Sequence, residues 1–322
     1  MARWSNQVTL RDRAIARSLP VLPRRLVRRL SMSYVAGDSL DAALGTIRSI
    51  AALGMATTVD VLGEAITTQQ EAIATRDAYL DALDALKSVS VAVGGSDVVN
   101  VSIKLTALGL AFDEALALDS TQRIVERARN HGGFVRIDME DTPNTDATLN
   151  LYERLRADGF DNVGVVVQAY LRRSADDVDR LCELGARVRV VKGIYREPAR
   201  VAFADAGDID SNFLALCARL AGAGCHTAFA THDDTLVTRL RELVTSLDID
   251  RSRYEFQMLL GVREELRDKL RSASEPVRIY VPYGAKWYEY CLRRLRENPK
   301  IAGYVAGDLL RRGVPRQRAG KR

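Results

Sequence analysis

Two hydrophobic patterns alternate along the chain from residue 56 onward. Short runs rich in β-branched residues are separated by longer stretches in which apolar residues recur every three or four positions, as on one face of a helix. Several of these stretches end at glycine, as helix C-termini do. The short runs predict eight strands, at 56–63, 100–105, 134–140, 162–170, 188–193, 226–232, 254–259 and 277–283.

Eight strands that alternate with helices are typical of an α/β protein, and of a (β/α)8 TIM barrel in particular. A doubly wound open sheet is the alternative, because the number of strands does not establish closure. The residues before the first strand predict two or three helices, the first pair of which is separated by Pro20 and Pro23. Asp38 or Ser39 is expected to cap the helix that follows. The expected organisation is one domain with three segments, namely an N-terminal helical arm (1–55), a barrel (56–300) and a basic C-terminal tail (301–322).

Three of the predicted strands have one apolar and one polar face, since successive side chains of a strand point to opposite sides. The apolar faces are expected to pack against the helices, which turns the polar faces into the barrel. The apolar set consists of Val135, Ile137, Met139, Tyr254, Phe256, Met258, Val277, Ile279 and Val281. The opposite set consists of Arg136, Asp138, Glu140, Glu255, Gln257, Leu259, Arg278, Tyr280 and Pro282.

Charged side chains are thus expected inside a barrel whose interior is ordinarily filled by branched apolar residues. Unpaired buried charges are costly, so these groups must pair with one another or with a ligand. Lys104, Asp138, Gln168 and His232 lie near the C-terminal ends of their strands, where barrel enzymes have their active sites. This placement favours an enzyme over a barrel with a purely structural network of salt bridges.

Composition indicates a globular protein of the cytoplasm. Of the 322 residues, 47% are hydrophobic and 28% are charged, and no apolar run approaches the roughly 18 residues of a membrane-spanning helix. The N-terminal residues carry charges where a signal peptide would be apolar. The four cysteines form no CxxC pair and are expected to be reduced thiols.

The net charge of +5 is unevenly distributed. Residues 1–30 carry +7 and residues 311–322 carry +6, which leaves −8 on the rest of the chain. An acidic body argues against a nucleic-acid-binding core. The basic ends are either solvated peptide or a means of peripheral attachment to an anionic membrane surface.

Motifs for nucleotides, metals and nucleophilic serine are missing. The sequence has no GxxxxGK[ST] and no GxSxG, and its G-x-G at 222–224 closes a helix, the reverse of the dinucleotide-binding arrangement. The histidines at 131, 226 and 232 lack metal-ligand spacing, so no metal site is expected.

The helix predicted after the eighth strand carries an unusual face. Tyr290, Arg293, Arg294 and Glu297 stand at i, i+3, i+4 and i+7 and therefore share one side. Paired arginines suit a small carboxylate, which they grip through forked hydrogen bonds. A solvated, salt-bridged helix face is the alternative, but the position directly after the eighth strand favours a carboxylate site.

Nine blocks of the sequence resemble those of proline dehydrogenases, both monofunctional bacterial enzymes and the matching domain of bifunctional proline-utilisation flavoenzymes. The combination of YxxRRxxE with VKGxY and FATH is highly specific. The blocks follow one another from about residue 34 to 299, as YVAGDSL, SIKLTALG, RIDMEDT, VVVQAYLRRS, RVRVVKGIYREP, FATHDD, YEFQMLLGV, RIYVPYGAKW and YCLRRLREN.

The resemblance implies a distorted (β/α)8 barrel with non-covalent FAD at the C-terminal ends of the strands. The implied reaction is oxidation of L-proline to Δ1-pyrroline-5-carboxylate, the first step of proline degradation to glutamate, by hydride transfer from C5 to flavin N5. A quinone is the implied electron acceptor. A pyrroline-5-carboxylate dehydrogenase is a candidate partner, since the aldehyde dehydrogenase half of the bifunctional proteins is missing from this sequence.

The resemblance also implies roles for substrate-site residues. Arg293 and Arg294 match the pair that binds the proline carboxylate, and Glu297 matches a carboxylate that orients them. Lys104 matches a lysine of the substrate pocket, and Asp138 matches an active-site aspartate. Tyr280 and Tyr290 match two aromatic residues that line the pyrrolidine ring, and Leu259 matches an apolar wall.

Around the flavin, Arg189 matches an arginine near N5, where a cation stabilises the anionic reduced form. Gly193 is expected to let the cofactor approach the backbone. Arg196 stands where many relatives have a flavin-side tryptophan, and THDD replaces the commoner THN. The other implied contacts of the flavin, its phosphates and its adenine arm are Met139, Gln168, Val191, Lys192, Ile194, Thr231 and His232.

Two alternative functions stay open. One is a dehydrogenase for hydroxyproline, for which Tyr290 discriminates, because its ring should crowd a 4-hydroxyl group. The other is a flavin-free barrel that binds proline without turnover, as a sensor or assembly subunit. No residue stands out as the general base for the substrate amine.

Overall fold

The computed structural model describes residues 34–63, 66–93 and 98–291. Eight parallel strands pair in chain order and close into a barrel, with β8 beside β1. The predicted barrel is therefore confirmed, and the open sheet is wrong. The strands are β1 Ala56–Val61, β2 Asn100–Ile103, β3 Phe134–Ile137, β4 Val163–Gln168, β5 Arg187–Val191, β6 His226–Ala230, β7 Tyr254–Leu259 and β8 Val277–Tyr283.

Helices cover the outside of the barrel and connect successive strands. Residues 287–291 are also helical, directly after β8. Short 3-10 turns occur at Thr106–Leu108 and Arg251–Arg253. The longer helices are α1 Leu40–Ala51, α2 Gln69–Val93, α3 Glu114–Asn130, α4 Thr142–Ala157, α5 Ser174–Glu183, α6 Ala206–Gly222, α7 Asp234–Ser246 and α8 Glu264–Ser272.

Local signals set the helix ends as the sequence predicts. Of the two candidate caps for α1, the structure selects Ser39, whose Oγ accepts from the amide of Ala42 at 3.4 Å. Asp113, Asp205 and Asp233 cap α3, α6 and α7 in the same way, satisfying amides of the first turn.

Six predicted strands, β1 to β6, extend too far at their C-terminal ends. For example, β2 ends at Ile103 and β3 at Ile137, although the apolar and β-branched pattern continues to 105 and 140. The side chains remain buried after strand pairing stops, because the connecting loops fold over the barrel mouth. Lys104, Asp138 and His232 consequently lie on loop residues immediately after strands.

The apolar core lies between the strands and the helices. Val135, Ile137, Phe256 and Ile279 are all at most 2% exposed and belong to one contiguous cluster. This arrangement confirms the predicted division of the strands into a helix-facing and an inward-facing side.

Helix α1, which the sequence assigns to the N-terminal arm, packs on the barrel wall. Its Ala43 and Ile47 are fully buried, and the amide of Ala36 donates to the carbonyl of Pro282 at 2.8 Å. The rest of the predicted arm (1–33), the basic tail and the predicted helical residues after 291 lie outside the described residues. Within the described ranges, no helix is long and apolar enough to cross a bilayer.

Candidate active site

A hydrogen-bonded network of charged side chains runs through the barrel. In its lower part, Arg278 donates through Nε to both carboxylate oxygens of Glu255, at 3.0 and 2.9 Å. Gln257 also donates to Glu255, and Arg189 donates to the Oε1 of Gln257. Burial acts to raise the pKa of Glu255, but the Arg278 guanidinium overcomes this and lowers the pKa to about 2. Glu255 is therefore an ionised, structural partner of Arg278.

At the upper end of the network, Asp138 accepts hydrogen bonds from Arg189 of β5, Tyr280 of β8 and Lys104, which follows β2. Nη1 of Arg189 lies 2.6 Å from Oδ1, and the Tyr280 hydroxyl donates to Oδ2 at 2.8 Å. The Lys104 ammonium lies 3.4 Å from the same Oδ2. Arg189 also donates to the Ser102 hydroxyl at 3.0 Å. Asp138 thus joins the three predicted residues Lys104, Arg189 and Tyr280 into one cluster.

Lys104 has a second carboxylate partner, Asp60 of β1, at 3.0 Å. Burial disfavours the charged ammonium, but the neighbouring Asp60 raises the pKa of Lys104 well above its usual value. Lys104 is therefore a fixed positive charge. Sequence reasoning missed Asp60, although the signal is present: an aspartate in the run ATTVDV, two residues after Thr58, must share the inward face of the strand.

Tyr280 is a neutral donor within this cluster. Burial and the nearby Asp138 raise the pKa of Tyr280 well above its usual value, so its hydroxyl keeps the proton that it shares with Asp138. The guanidinium of Arg189 lies 5.4 Å from the centre of the Tyr280 ring. One face of the ring therefore contacts a cation, while its edge is fixed by hydrogen bonds.

The structure describes one part of the predicted substrate site, the residues that line the ring. Leu259 ends β7 and is in register with Tyr280 on β8. Tyr290 is only 4% exposed, so it is packed into the protein and does not lie on a solvated helix face. Arg293, Arg294 and Glu297 lie outside the described residues, so the carboxylate site that they predict stays a prediction.

The predicted cofactor residues follow the ends of adjacent strands. Gln168, at the end of β4, donates through Nε2 to the carbonyl of Glu140 at 2.8 Å. Met139 and Thr231 are buried, and the segment 191–194, which begins at the last residue of β5, is half-buried. Because β4, β5 and β6 are neighbours in the barrel, these residues form a contiguous rim at its mouth.

His232 is held as a neutral imidazole on this rim. Its Nε2 accepts from the amide of Leu259 at 2.9 Å, which leaves the ring proton on Nδ1. Burial, together with the charge of Arg263, lowers the pKa of His232 to about 4. His232 therefore offers a neutral donor.

Lys192 has partners that the sequence did not predict. Its ammonium lies 2.5 Å from a carboxylate oxygen of Asp210 and 3.4 Å from one of Asp233, which belongs to the THDD departure. The predicted phosphate contact is thus a lysine shared by two acidic residues.

Gly193 is constrained by its neighbours. Its φ is +108°, and a Cβ atom there would lie 2.0 Å from Cδ1 of Tyr170. The glycine therefore makes room for the Tyr170 ring, a neighbour that sequence reasoning did not identify. Within the described parts of the chain, no cluster of metal-ligating side chains occurs.

Comparison with known proteins agrees with this geometry. A family profile described as proline dehydrogenase matches residues 43–306. The proline dehydrogenase of Deinococcus radiodurans is 35% identical over 294 residues, which are 90% of this chain and 93% of that protein. Proline dehydrogenase 1 of Bacillus subtilis is 36% identical over 279 residues, covering 87% and 90% of the two chains.

A solved structure shows the same fold. Proline utilization A from Bdellovibrio bacteriovorus superposes with a TM-score of 0.80 at 25% identity, over 90% of this chain and 35% of that longer one. The likeness covers the closed barrel that carries the Lys104–Asp138–Tyr280 cluster. From its sequence and its fold, the chain belongs to the proline dehydrogenase family and is an oxidoreductase.

Proposed function

We propose that the protein oxidises L-proline to Δ1-pyrroline-5-carboxylate, with non-covalently bound FAD as cofactor. The observation that carries the proposal is the cluster of Lys104, Asp138, Arg189 and Tyr280, which lies at the C-terminal mouth of the barrel next to the neutral polar rim. The cluster supplies fixed cations and a neutral donor, and the rim supplies the neutral groups of Gln168 and His232 together with the charged Lys192.

The rim suits a flavin. The Tyr170 ring fills the place of a Cβ at Gly193, and the loop, which carries no side chain at this position, is proposed to present its other side to a planar ring system. Gln168 and neutral His232 would contact the polar edges of the ring, and Lys192 would contact the phosphates, together with Thr231. Val191, Ile194 and Met139 would supply apolar contacts. When bound, FAD accepts a hydride from the substrate carbon.

Arg189 is proposed to place a positive charge where the reduced flavin becomes anionic, which favours hydride acceptance. Its orientation is fixed on three sides, by Asp138, Gln257 and Ser102. Such a preorganised charge needs no reorientation during the reaction. Asp138 acts by holding Arg189, Lys104 and Tyr280 together and by accepting the hydrogen bond of the Tyr280 hydroxyl at Oδ2.

Substrate recognition is proposed to involve the same cluster and the last helix. The Lys104 ammonium, together with Arg293 and Arg294, would bind the proline carboxylate, and Glu297 would orient the arginines. Tyr280, Tyr290 and Leu259 would enclose the apolar ring and exclude water. Selection of proline over hydroxyproline is assigned to Tyr290.

Electrons are proposed to pass to a quinone, and the product to a separate dehydrogenase that completes oxidation to glutamate. Relatives described as bifunctional proline utilization proteins support a link between two consecutive oxidations, since this chain matches 24% of such a protein from Escherichia coli.

The test uses the full chain purified in the presence of FAD. We expect a yellow protein with absorbance at about 450 nm, flavin that is recovered in the filtrate after denaturation, and reduction of a dye acceptor that depends on L-proline. Flavin that stays on the denatured chain would contradict non-covalent binding. A colourless protein that binds L-proline but reduces no dye would instead support the non-catalytic, flavin-free barrel.

A further inference from the structure

Tyr79 projects from the outer helical layer to the edge of the active-site network. It lies on α2, is 1% exposed, and places its hydroxyl oxygen 2.8 Å from the carbonyl oxygen of Ser102 and 3.2 Å from Oδ1 of Asp60. The same oxygen accepts from the amide of Val61 at 3.3 Å. Tyr79 therefore contacts β1 and β2 at once.

The position of this contact is defined by the barrel itself. Strands β1 and β2 pair at Val59 with Val101 and at Asp60 with Ser102. Immediately beyond the second pair, the amide of Val61 is bound by Tyr79. A residue of the outer layer thus completes the wall of the barrel next to Asp60.

The Asp60 carboxylate accepts hydrogen bonds from Tyr79 and Lys104 through the same oxygen. Its Oδ1 accepts from Tyr79 and from Lys104, the latter at 3.0 Å, while Oδ2 is buried and makes no hydrogen bond within the described residues. A phenol has a single proton, which here lies between the Ser102 carbonyl and Asp60. The orientation of the Asp60 carboxylate, and with it the place of the Lys104 ammonium, depends on this shared proton.

We propose that Tyr79 is a positioning residue for proline oxidation, which acts through Asp60 on the place of the Lys104 ammonium. The inference rests on the proposed function, because Lys104 is taken to bind the substrate carboxylate. Tyr79 does not contact the substrate, and its effect should pass through Lys104 alone.

The experiment is a double-mutant cycle on the flavin-loaded enzyme. Tyr79→Phe removes the hydroxyl and keeps the ring, and we expect it to lower kcat/KM for L-proline about 3- to 10-fold. In the Lys104→Met background, the same change should alter kcat/KM less than about 2-fold, because the ammonium through which Tyr79 is proposed to act is already absent. Tyr152→Phe, at a buried tyrosine of α4, is the matched control and should leave kcat/KM unchanged.

A second variant tests the pathway without disturbing the barrel wall. Asp60→Asn removes the negative charge beside Lys104, whose pKa that charge raises. We therefore expect the alkaline limb of the kcat/KM profile to move to lower pH. A merely structural role would not move this limb.

The outcomes separate the inference from the proposed function. Wild-type kinetics for Tyr79→Phe, or equal losses with and without Lys104, would overturn the role of Tyr79 while proline oxidation stands. An unmoved alkaline limb in Asp60→Asn would overturn the link through Asp60. A flavin-loaded wild-type protein without proline turnover would overturn both proposals.

Discussion

At the residue scale, Gly193 shows how a single missing side chain shapes the cofactor rim. Gly193→Ala combines a positive φ with a contact of 2.0 Å to Tyr170. Gly159→Ala is the matched control, since its φ is +83° and no atom lies within 4 Å of the added Cβ. We expect Gly159→Ala to cost about 1–2 kcal/mol of unfolding free energy and Gly193→Ala about 1–3 kcal/mol more.

Both costs can be measured as shifts of the urea midpoint. Gly193→Ala should also weaken FAD binding, which is measured as the Kd from quenching of flavin fluorescence, whereas Gly159→Ala should not. Equal stability losses in the two variants would show that Tyr170 yields to the new methyl group.

His232 should make stability depend on pH. Its pKa in the folded protein, about 4, lies below the usual value of 6.5, so its contribution is fully present above pH 6.5 and is lost as the pH falls towards 4. Between pH 7 and pH 5 the loss should be on the order of 1–2 kcal/mol. A glutamine can still accept from Leu259, so His232→Gln should show a smaller fall of Tm between these pH values. A fall as large as that of the wild type would show that His232 does not titrate as its burial implies.

Strand alternation found the residues that point into the barrel. Lys104, Asp138, Arg189 and Tyr280 all lie where the pattern of the sequence and the resemblance place them. Asp60 was missed although it obeys the same alternation. Tyr79 could not be found by this method, because it lies on a helix and its hydroxyl reaches the network through the packing of α2 against β1 and β2.

At the element scale, the register of β7 and β8 sets the pair of Glu255 and Arg278. Glu255→Gln removes the carboxylate that pairs with the buried Arg278 guanidinium, which should cost about 3–5 kcal/mol. Asp119→Asn removes a carboxylate from an exposed pair with Arg123 and should cost less than about 1 kcal/mol. Urea unfolding of both variants measures the difference. Similar small losses would mean that Arg278 finds another partner.

The strands and helices could be predicted more fully than the loops that connect them. The periodicity of hydrophobic residues located eight strands, because buried strands and amphipathic helices differ in period. The C-terminal ends of β2 and β3 were placed two to three residues too far, since buried loop residues continue the apolar pattern. Closure of the sheet could not be predicted by pattern, as it depends on β1 and β8, which are distant in sequence.

At the scale of the whole molecule, the distribution of charge carries the last prediction. Transfer of electrons to a membrane quinone would require contact with a bilayer, while the central part of the chain, at −8, would be repelled by anionic lipid. The ends carry +7 and +6, and each basic residue near an anionic surface contributes about 1 kcal/mol, an effect that salt screens.

We expect weak binding to anionic vesicles, measured by sedimentation, which is lost at high salt and on deletion of residues 311–322. In the full chain, neutralising Arg24, Arg25, Arg28 and Arg29 should weaken the binding. Equal pelleting with neutral and anionic vesicles, or none with either, would leave the basic ends without a role at the membrane.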